Sequence, residues 1–65
     1  MSQSYTVKSE SFFDGYEWMI GVIRRNGWSA ARDIFNERYP HDWKPNTADS
    51  WQYSKGAIDA LQSTI

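Results

Sequence analysis

His41 is the only histidine in the chain, and Asp42 follows it directly, so this pair is the first candidate for chemistry. A histidine beside a carboxylate can act as a general base or as a metal ligand. A metal site would need three or four ligands, and a nucleophilic triad would need a serine placed beside the histidine by the fold. His41 comes directly after Pro40, and we expect a solvated loop histidine without a catalytic role.

Two carboxylate pairs are the second candidate. Asp14 and Glu17 lie three residues apart, and Asp33 and Glu37 lie four apart. These spacings are typical of the solvated face of a helix rather than of an acid–base pair. The absence of cysteine removes disulfides, thiolate metal ligands and cysteine nucleophiles. We therefore predict no catalytic residue, no metal site, no cofactor and no enzymatic activity.

Aromatic residues are abundant, with 4 Trp, 4 Tyr and 3 Phe against a single Leu and two Val in 65 residues. A domain of this size has a small core, so rings must form much of it. Rings that the core does not need are typical anchors of protein interfaces. The composition therefore favours a small stand-alone binding protein, acting as an inhibitor, adaptor or assembly factor on a larger partner.

The elements that must position these side chains are helical. Apolar periodicity and capping residues predict an all-α domain of three helices, at about 11–26, 29–39 and 47–63. A polar tail at 1–9 precedes this domain, which we take as 10–65. The alternation of Tyr5 and Val7 leaves a short strand at 5–8 as an alternative for the tail.

The first helix, capped by Ser9 or Ser11, has one clear apolar stripe. The stripe consists of Phe12, Tyr16, Met19, Ile20 and Ile23. Trp18 and Val22 lie outside it, so this helix needs cover on two sides. We expect it either to be the central element of the domain or to meet another molecule on its second side.

Short polar and small residues mark the helix ends. Asn26 and Gly27 are expected to end the first helix, Trp28 to fill the corner and Ser29 to cap the second helix. Asn46 or Thr47 is expected to cap the third helix, after a loop that contains two prolines.

The third helix has an apolar side and a flank of small residues. The predicted core side contains Trp51, Ile58, Leu61 and Ile65. The flank contains Gly56, Ala57 and Ala60, where a neighbouring helix could approach closely.

Six residues are the predicted partner contacts: Trp18, Val22, Arg38, Tyr39, Trp43 and Lys44. Arg38 falls on the apolar face of the second helix, so we expect it to stack on a ring or to pair with a carboxylate. Trp43 either folds back to close the domain or anchors a partner from the loop. A homodimer through the first or third helix would use the same surplus of rings.

A nucleic-acid-binding regulator is the alternative function. Residues 24–44 carry five cations and three carboxylates, a net +2, and the candidate contacts are Arg24, Arg25, Arg32, Asn36 and Lys44. The segment RRNGWSAA looks like the turn of a helix-turn-helix protein, with Gly27 at the turn and Trp28 after it. However, polar Asn26, Asp33 and Asn36 occupy positions where that family has buried apolar residues. The overall charge of −1 also disfavours general attraction to phosphates.

The longest uncharged apolar run is WMIGVI at 18–23, far shorter than a membrane span. The first residues lack the basic and apolar regions of a signal peptide. We expect a complete, soluble, cytoplasmic protein without membrane attachment.

Overall fold

The computed structural model describes residues 10–63. They form three α-helices: α1 at Glu10–Asn26, α2 at Trp28–Arg38 and α3 at Ala48–Ser63. This confirms the all-α, three-helix prediction, with every helix end within one residue of its predicted position. The predicted tail at 1–9, its alternative strand at 5–8, Ser9 and Ile65 lie outside the described residues.

α1 is the central helix, as one of the two expectations for it stated. It packs extensively against α3 and also against α2, while α2 and α3 touch each other least. Ser11 and Ser50, near the starts of α1 and α3, line one groove. At the other end, the indole Nε1 of Trp28 donates a hydrogen bond to the Leu61 carbonyl at 2.8 Å. α1 and α3 therefore run in roughly the same direction. α2 runs in the opposite direction and leads from the end of α1 back toward the start of α3.

Two glycines allow α1 and α3 to lie backbone to backbone. A Cβ at Gly15 would overlap the carbonyl oxygen of Tyr53, and one at Gly56 would overlap the carbonyl oxygen of Phe12. Both glycines are buried. The expected close approach at the small-residue flank of the third helix is therefore confirmed, and it fixes which side of each helix faces the core.

Apart from Phe12, the core consists of small and medium side chains. Its buried apolar members are Phe12, Met19, Val22, Ala31, Ala57, Ala60 and Leu61. Tyr16, Ile20 and Ile23, predicted at the centre of the α1 core stripe, are only partly buried against this cluster. Val22, predicted outside the stripe, is 5% exposed. The predicted stripe gave no weight to Gly15, whose contact with α3 brings Val22 into the core beside the correctly predicted Met19.

The predicted core side of α3 is correct only in part. Trp51 is 46% exposed and Ile58 is 37% exposed, whereas Leu61 is buried as expected. Gly56, Ala57 and Ala60 face the other helices instead. Large side chains on the far side of α3 cannot enter an interface whose spacing is set by glycine contacts.

The corner between α1 and α2 is built on Gly27. Its N–H donates to the Ile23 carbonyl at 2.8 Å, and its own carbonyl accepts from Ala31 at 3.0 Å. Its φ of 89° is a conformation that favours glycine. The predicted end of the first helix is confirmed, but Ser29 is not the cap of the second. Gly27 occupies that position, and α2 already begins at Trp28.

Thr47 caps α3, which decides between the two predicted caps. The Ser50 N–H donates to Thr47 Oγ1 at 3.0 Å, and the Thr47 N–H donates to Ser50 Oγ at 3.2 Å. This reciprocal pair has the geometry of a capping box, with serine where glutamate is usual. The cap fixes the start of α3 beside the loop at 39–47.

The loop between α2 and α3 turns back on itself. The Tyr39 N–H donates to the Phe35 carbonyl at 2.8 Å, and the Trp43 N–H donates to the Pro40 carbonyl at 2.7 Å. These bonds place the rings of Tyr39 and Trp43 near each other. Both rings lie at the same end of the molecule as the starts of α1 and α3. Across the described helices, no segment has the length and apolar character needed to cross a membrane.

Candidate functional site

Arg38, the last residue of α2, lies where the three helices meet. Its guanidinium carbon is 5.0 Å from the ring centroid of Trp18, 5.1 Å from that of Tyr53 and 5.6 Å from that of Tyr39. Trp18 belongs to α1 and Tyr53 to α3. The prediction that Arg38 stacks on a neighbouring ring is confirmed, and the contact joins all three helices.

The rings around Arg38 also contact one another. Tyr39 packs on Phe35 with centroids 5.0 Å apart and on Trp43 at 4.6 Å, the latter edge to face at 80°. Trp18 and Tyr53 are 5.8 Å apart. Each such pair contributes about 0.5–1.5 kcal/mol beyond its buried area. The loop is thereby fixed to the end of α2, and Trp43 has folded back onto Tyr39 while remaining half-exposed.

These residues border an open groove of about 440 Å³. It combines three rings and two cations with one carboxylate and several small polar side chains. Its lining residues are Tyr39, Trp43, Tyr53, Arg38, Lys44, Asp49, Ser11, Asn46 and Ser50. They come from all three helices and the loop, so the groove exists only in the folded chain. We call it the aromatic groove.

The two cations of the aromatic groove have no ion-pair partner among the described residues. Within residues 10–63, Arg38 and Lys44 form no ion pair and no side-chain hydrogen bond; the ion pair in this part joins Arg32 and Asp33 at 3.6 Å. Asp49 also lines the groove but lies beyond ion-pair distance of both cations. The guanidinium of Arg38 is therefore held over rings with its N–H groups available to an acceptor.

Tyr53 supplies a polar group to the groove. Partial burial of its phenol raises its pKa above the usual value of 10.0, and the nearby Arg38 guanidinium opposes this increase. Tyr39 and Asp14 add smaller contributions that also raise the pKa. The Tyr53 hydroxyl is therefore protonated at neutral pH and can donate a hydrogen bond.

Four of the six predicted partner contacts line the aromatic groove: Arg38, Tyr39, Trp43 and Lys44. Trp18 does not line it but contacts Arg38. Trp18 is half-buried beneath Arg38 and Tyr53. α3 therefore covers the second side of α1 at this point, which is one of the two alternatives predicted for that helix. Val22 is in the core and has too little exposed surface to contact a partner. Sequence reasoning missed Tyr53, although it lies three and four residues before Gly56 and Ala57 and so shares their side of α3.

The residues of the nucleic-acid alternative do not form one surface. Arg24 and Arg25 lie in the last turn of α1, and Arg24 is about 20 Å along that helix from Ser11 at 1.5 Å per residue. Arg32 pairs with Asp33 and covers the Trp28 ring at 5.5 Å. Asn36 is exposed on α2. Lys44 lies in the aromatic groove, beside the starts of α1 and α3.

His41 and the carboxylates do not come together as a metal site. No group of three or more histidine and carboxylate side chains that could hold a metal ion occurs in the described part of the chain. His41 is exposed on the loop, next to exposed Asp42.

The other two tryptophans have separate roles. Trp28 is half-buried, packs against the core and bonds to α3, as expected of a residue that fills the corner. Trp51 is exposed on α3, where the Lys55 ammonium lies 5.4 Å from its ring centroid. Neither residue borders the aromatic groove.

No protein-family model matches the chain, and no curated protein or solved structure is significantly similar to it. The function must therefore be inferred from the geometry of the molecule itself.

Proposed function

We propose that this chain is a non-catalytic protein-binding module that acts on a larger partner as an inhibitor, adaptor or assembly factor. The observation that carries the proposal is the aromatic groove, where exposed parts of Tyr39 and Trp43 lie beside two cations that form no ion pair within residues 10–63. Aromatic residues and arginine are the side chains most enriched at the energetic centres of protein interfaces.

The construction of the groove supports this role. A surface made from three helices and a loop held by ring contacts is ordered before a partner arrives, so binding loses little side-chain entropy. Trp18, Tyr39, Trp43 and Tyr53 also place four rings at one end of a small domain. We take this as more rings than are needed to close that end of the core. Lys44 is exposed on the loop, and neither Lys44 nor the half-exposed Trp43 belongs to the core cluster.

Site-specific photo-crosslinking in cells of the native host tests this proposal. A benzophenone amino acid at Asn46, on the edge of the groove, should crosslink to one discrete larger protein. The same probe at Gln62, exposed near the end of α3, is the matched control and should not capture that protein.

Trp43→Ala, made in the Asn46 probe background, should abolish the crosslink while the circular dichroism spectrum stays helical. The proposal would be contradicted if probes at positions 46 and 62 captured the same set of proteins. It would also be contradicted if the crosslink persisted in Trp43→Ala. A crosslinked species of twice the mass of the chain would instead identify a homodimer, which the sequence allowed.

A further inference from the structure

We infer that the aromatic groove binds an acidic segment of the partner protein, with Arg38 and Lys44 receiving its carboxylates and Tyr39 and Trp43 contacting an adjacent apolar side chain. This inference rests on the proposed function and adds the chemistry of the partner to it.

Charge complementarity is the first argument. Arg38 and Lys44 both line the groove, and neither has a carboxylate partner among residues 10–63. Asp49 is the one carboxylate of the lining, so the site has a net positive charge although the whole chain has a charge of −1. A site with local excess of one sign selects the opposite sign in its partner.

The placement of the Arg38 guanidinium is the second argument. Trp18, Tyr53 and Tyr39 surround it at 5.0–5.6 Å, so it is restrained before binding. Contact with aromatic rings leaves the N–H groups at the edges of a guanidinium free, and their fork geometry matches a carboxylate with two parallel hydrogen bonds.

The composition of the remaining wall is the third argument, and it favours a peptide over a small anion. Tyr39 and Trp43 are joined edge to face at 4.6 Å and present an aromatic wall beside the cations. A free anion would leave this wall exposed to water. A segment with an acidic residue next to an apolar one would use both parts, in an open groove whose 440 Å³ can admit several side chains.

Selection from a library of short random peptides, with the full chain as bait, tests the inference. Peptides bound by the wild type should be enriched in Asp and Glu beside apolar residues. A chosen peptide should lose about tenfold in affinity when its acidic residues become Gln or Asn, as expected for a charge-assisted hydrogen bond. Arg38→Gln should remove this discrimination, and Arg38→Lys should restore part of it because the charge returns without the planar fork.

Arg24→Gln is the matched control, since Arg24 is an exposed arginine at the far end of α1, and it should leave the selection unchanged. Lys44→Gln provides a second test that does not touch the ring contacts of Arg38. Selected peptides that lose binding with Trp43→Ala but lack acidic enrichment would overturn this inference and leave the proposed function standing. Both this inference and the proposed function would be overturned if no selected peptide depended on the groove. The same holds if the groove preferred a single-stranded oligonucleotide.

Discussion

At the scale of single residues, Arg38 joins the packing of the fold to the proposed binding site. Its guanidinium contacts rings from α1, α3 and the residue after α2. An exposed cation–π contact contributes about 0.5–1 kcal/mol. These contacts involve the faces of the rings and leave the guanidinium donors unused by the described residues. One side chain can therefore stabilise the end of the bundle and still bind a ligand.

The titration of Tyr53 provides a direct test of the arrangement around Arg38. Burial raises the pKa of Tyr53 above 10.0 in the folded chain, so folding favours the protonated phenol. The contribution of Tyr53 to the free energy of unfolding is therefore fully present below the pKa that it has in the unfolded chain. This contribution is lost as the pH rises through the pKa of the folded chain. Carbon-13 NMR of the ring should show Tyr53 losing its proton at a higher pH than a free tyrosine does.

In Arg38→Gln the Tyr53 pKa should rise further, because the cation that opposes the increase is gone. Arg24→Gln, with its change far from Tyr53, is the control and should leave this titration unchanged. A fall of the Tyr53 pKa in Arg38→Gln would contradict the described contact.

Two tryptophans of opposite exposure allow a matched comparison of stability. Trp28→Phe removes the 2.8 Å hydrogen bond to Leu61 and part of a half-buried ring, and should lower the free energy of unfolding by about 1–2 kcal/mol. Trp51→Phe, on the outer side of α3, should change it by less than about 0.5 kcal/mol. Urea denaturation followed by circular dichroism measures both. Equal losses would show that Trp51 is packed, as the sequence first suggested.

At the scale of elements, the contact between α1 and α3 depends on the absence of two side chains. Gly15 and Gly56 each face the backbone of the other helix, so an added methyl group cannot be accommodated by a rotamer change. The helices would have to separate, and the small side chains of Ala57 and Ala60 would then no longer fill the space between them.

Glycine-to-alanine substitutions test this directly. Gly15→Ala and Gly56→Ala should each destabilise the fold by more than about 2 kcal/mol, since overpacking outweighs the gain in helix propensity. Gly21→Ala is the control in the same helix. Its Cβ would meet the Arg25 guanidine group at an ordinary 3.5 Å, so a gain of about 0.5–1 kcal/mol is expected. Thermal melts of the three variants would disprove the packing if Gly15→Ala behaved like Gly21→Ala.

The same two glycines explain which parts of the fold could be predicted from the sequence. The helix ends depend on local signals, such as Thr47 as a cap and Gly27 as a stop, and these were found within one residue. The rotation of each helix depends on tertiary contact. Apolar periodicity placed Tyr16 and Trp51 on core faces because it counts apolar side chains, whereas the close approach of α1 and α3 depends on the glycines at 15 and 56.

The candidate site divides in the same way. Arg38 was found because it is a cation on an apolar helix face. Tyr39, Trp43 and Lys44 were found because they follow it in a loop, where binding residues are common. Tyr53 is distant in sequence and reaches the groove only because Gly56 orients α3. Residues that a site gains from another helix require the helix orientation to be known first.

At the scale of the whole molecule, the cations of the basic segment do not gather at one end. Arg38 and Lys44 line the aromatic groove, together with Asp49. Arg24 and Arg25 lie at the other end of α1, and Arg32 is paired on the outer side of α2. A DNA-reading surface needs cations and amide side chains together on one face, and here Lys44 lies at the opposite end of the bundle from Arg24 and Arg25.

Binding to a fluorescently labelled duplex should therefore be weak at physiological salt, despite the basic segment at 24–44. Counterion release makes affinity fall steeply with salt in proportion to the number of phosphates neutralised. Because Lys44 lies at the opposite end of the described bundle from Arg24 and Arg25, the salt dependence of fluorescence anisotropy should be shallow. Arg32→Ala and Lys44→Gln should each change the affinity little. Tight binding that declines steeply with salt and is abolished by Arg32→Ala would favour the nucleic-acid alternative, because that result requires a basic face which the three helices do not assemble.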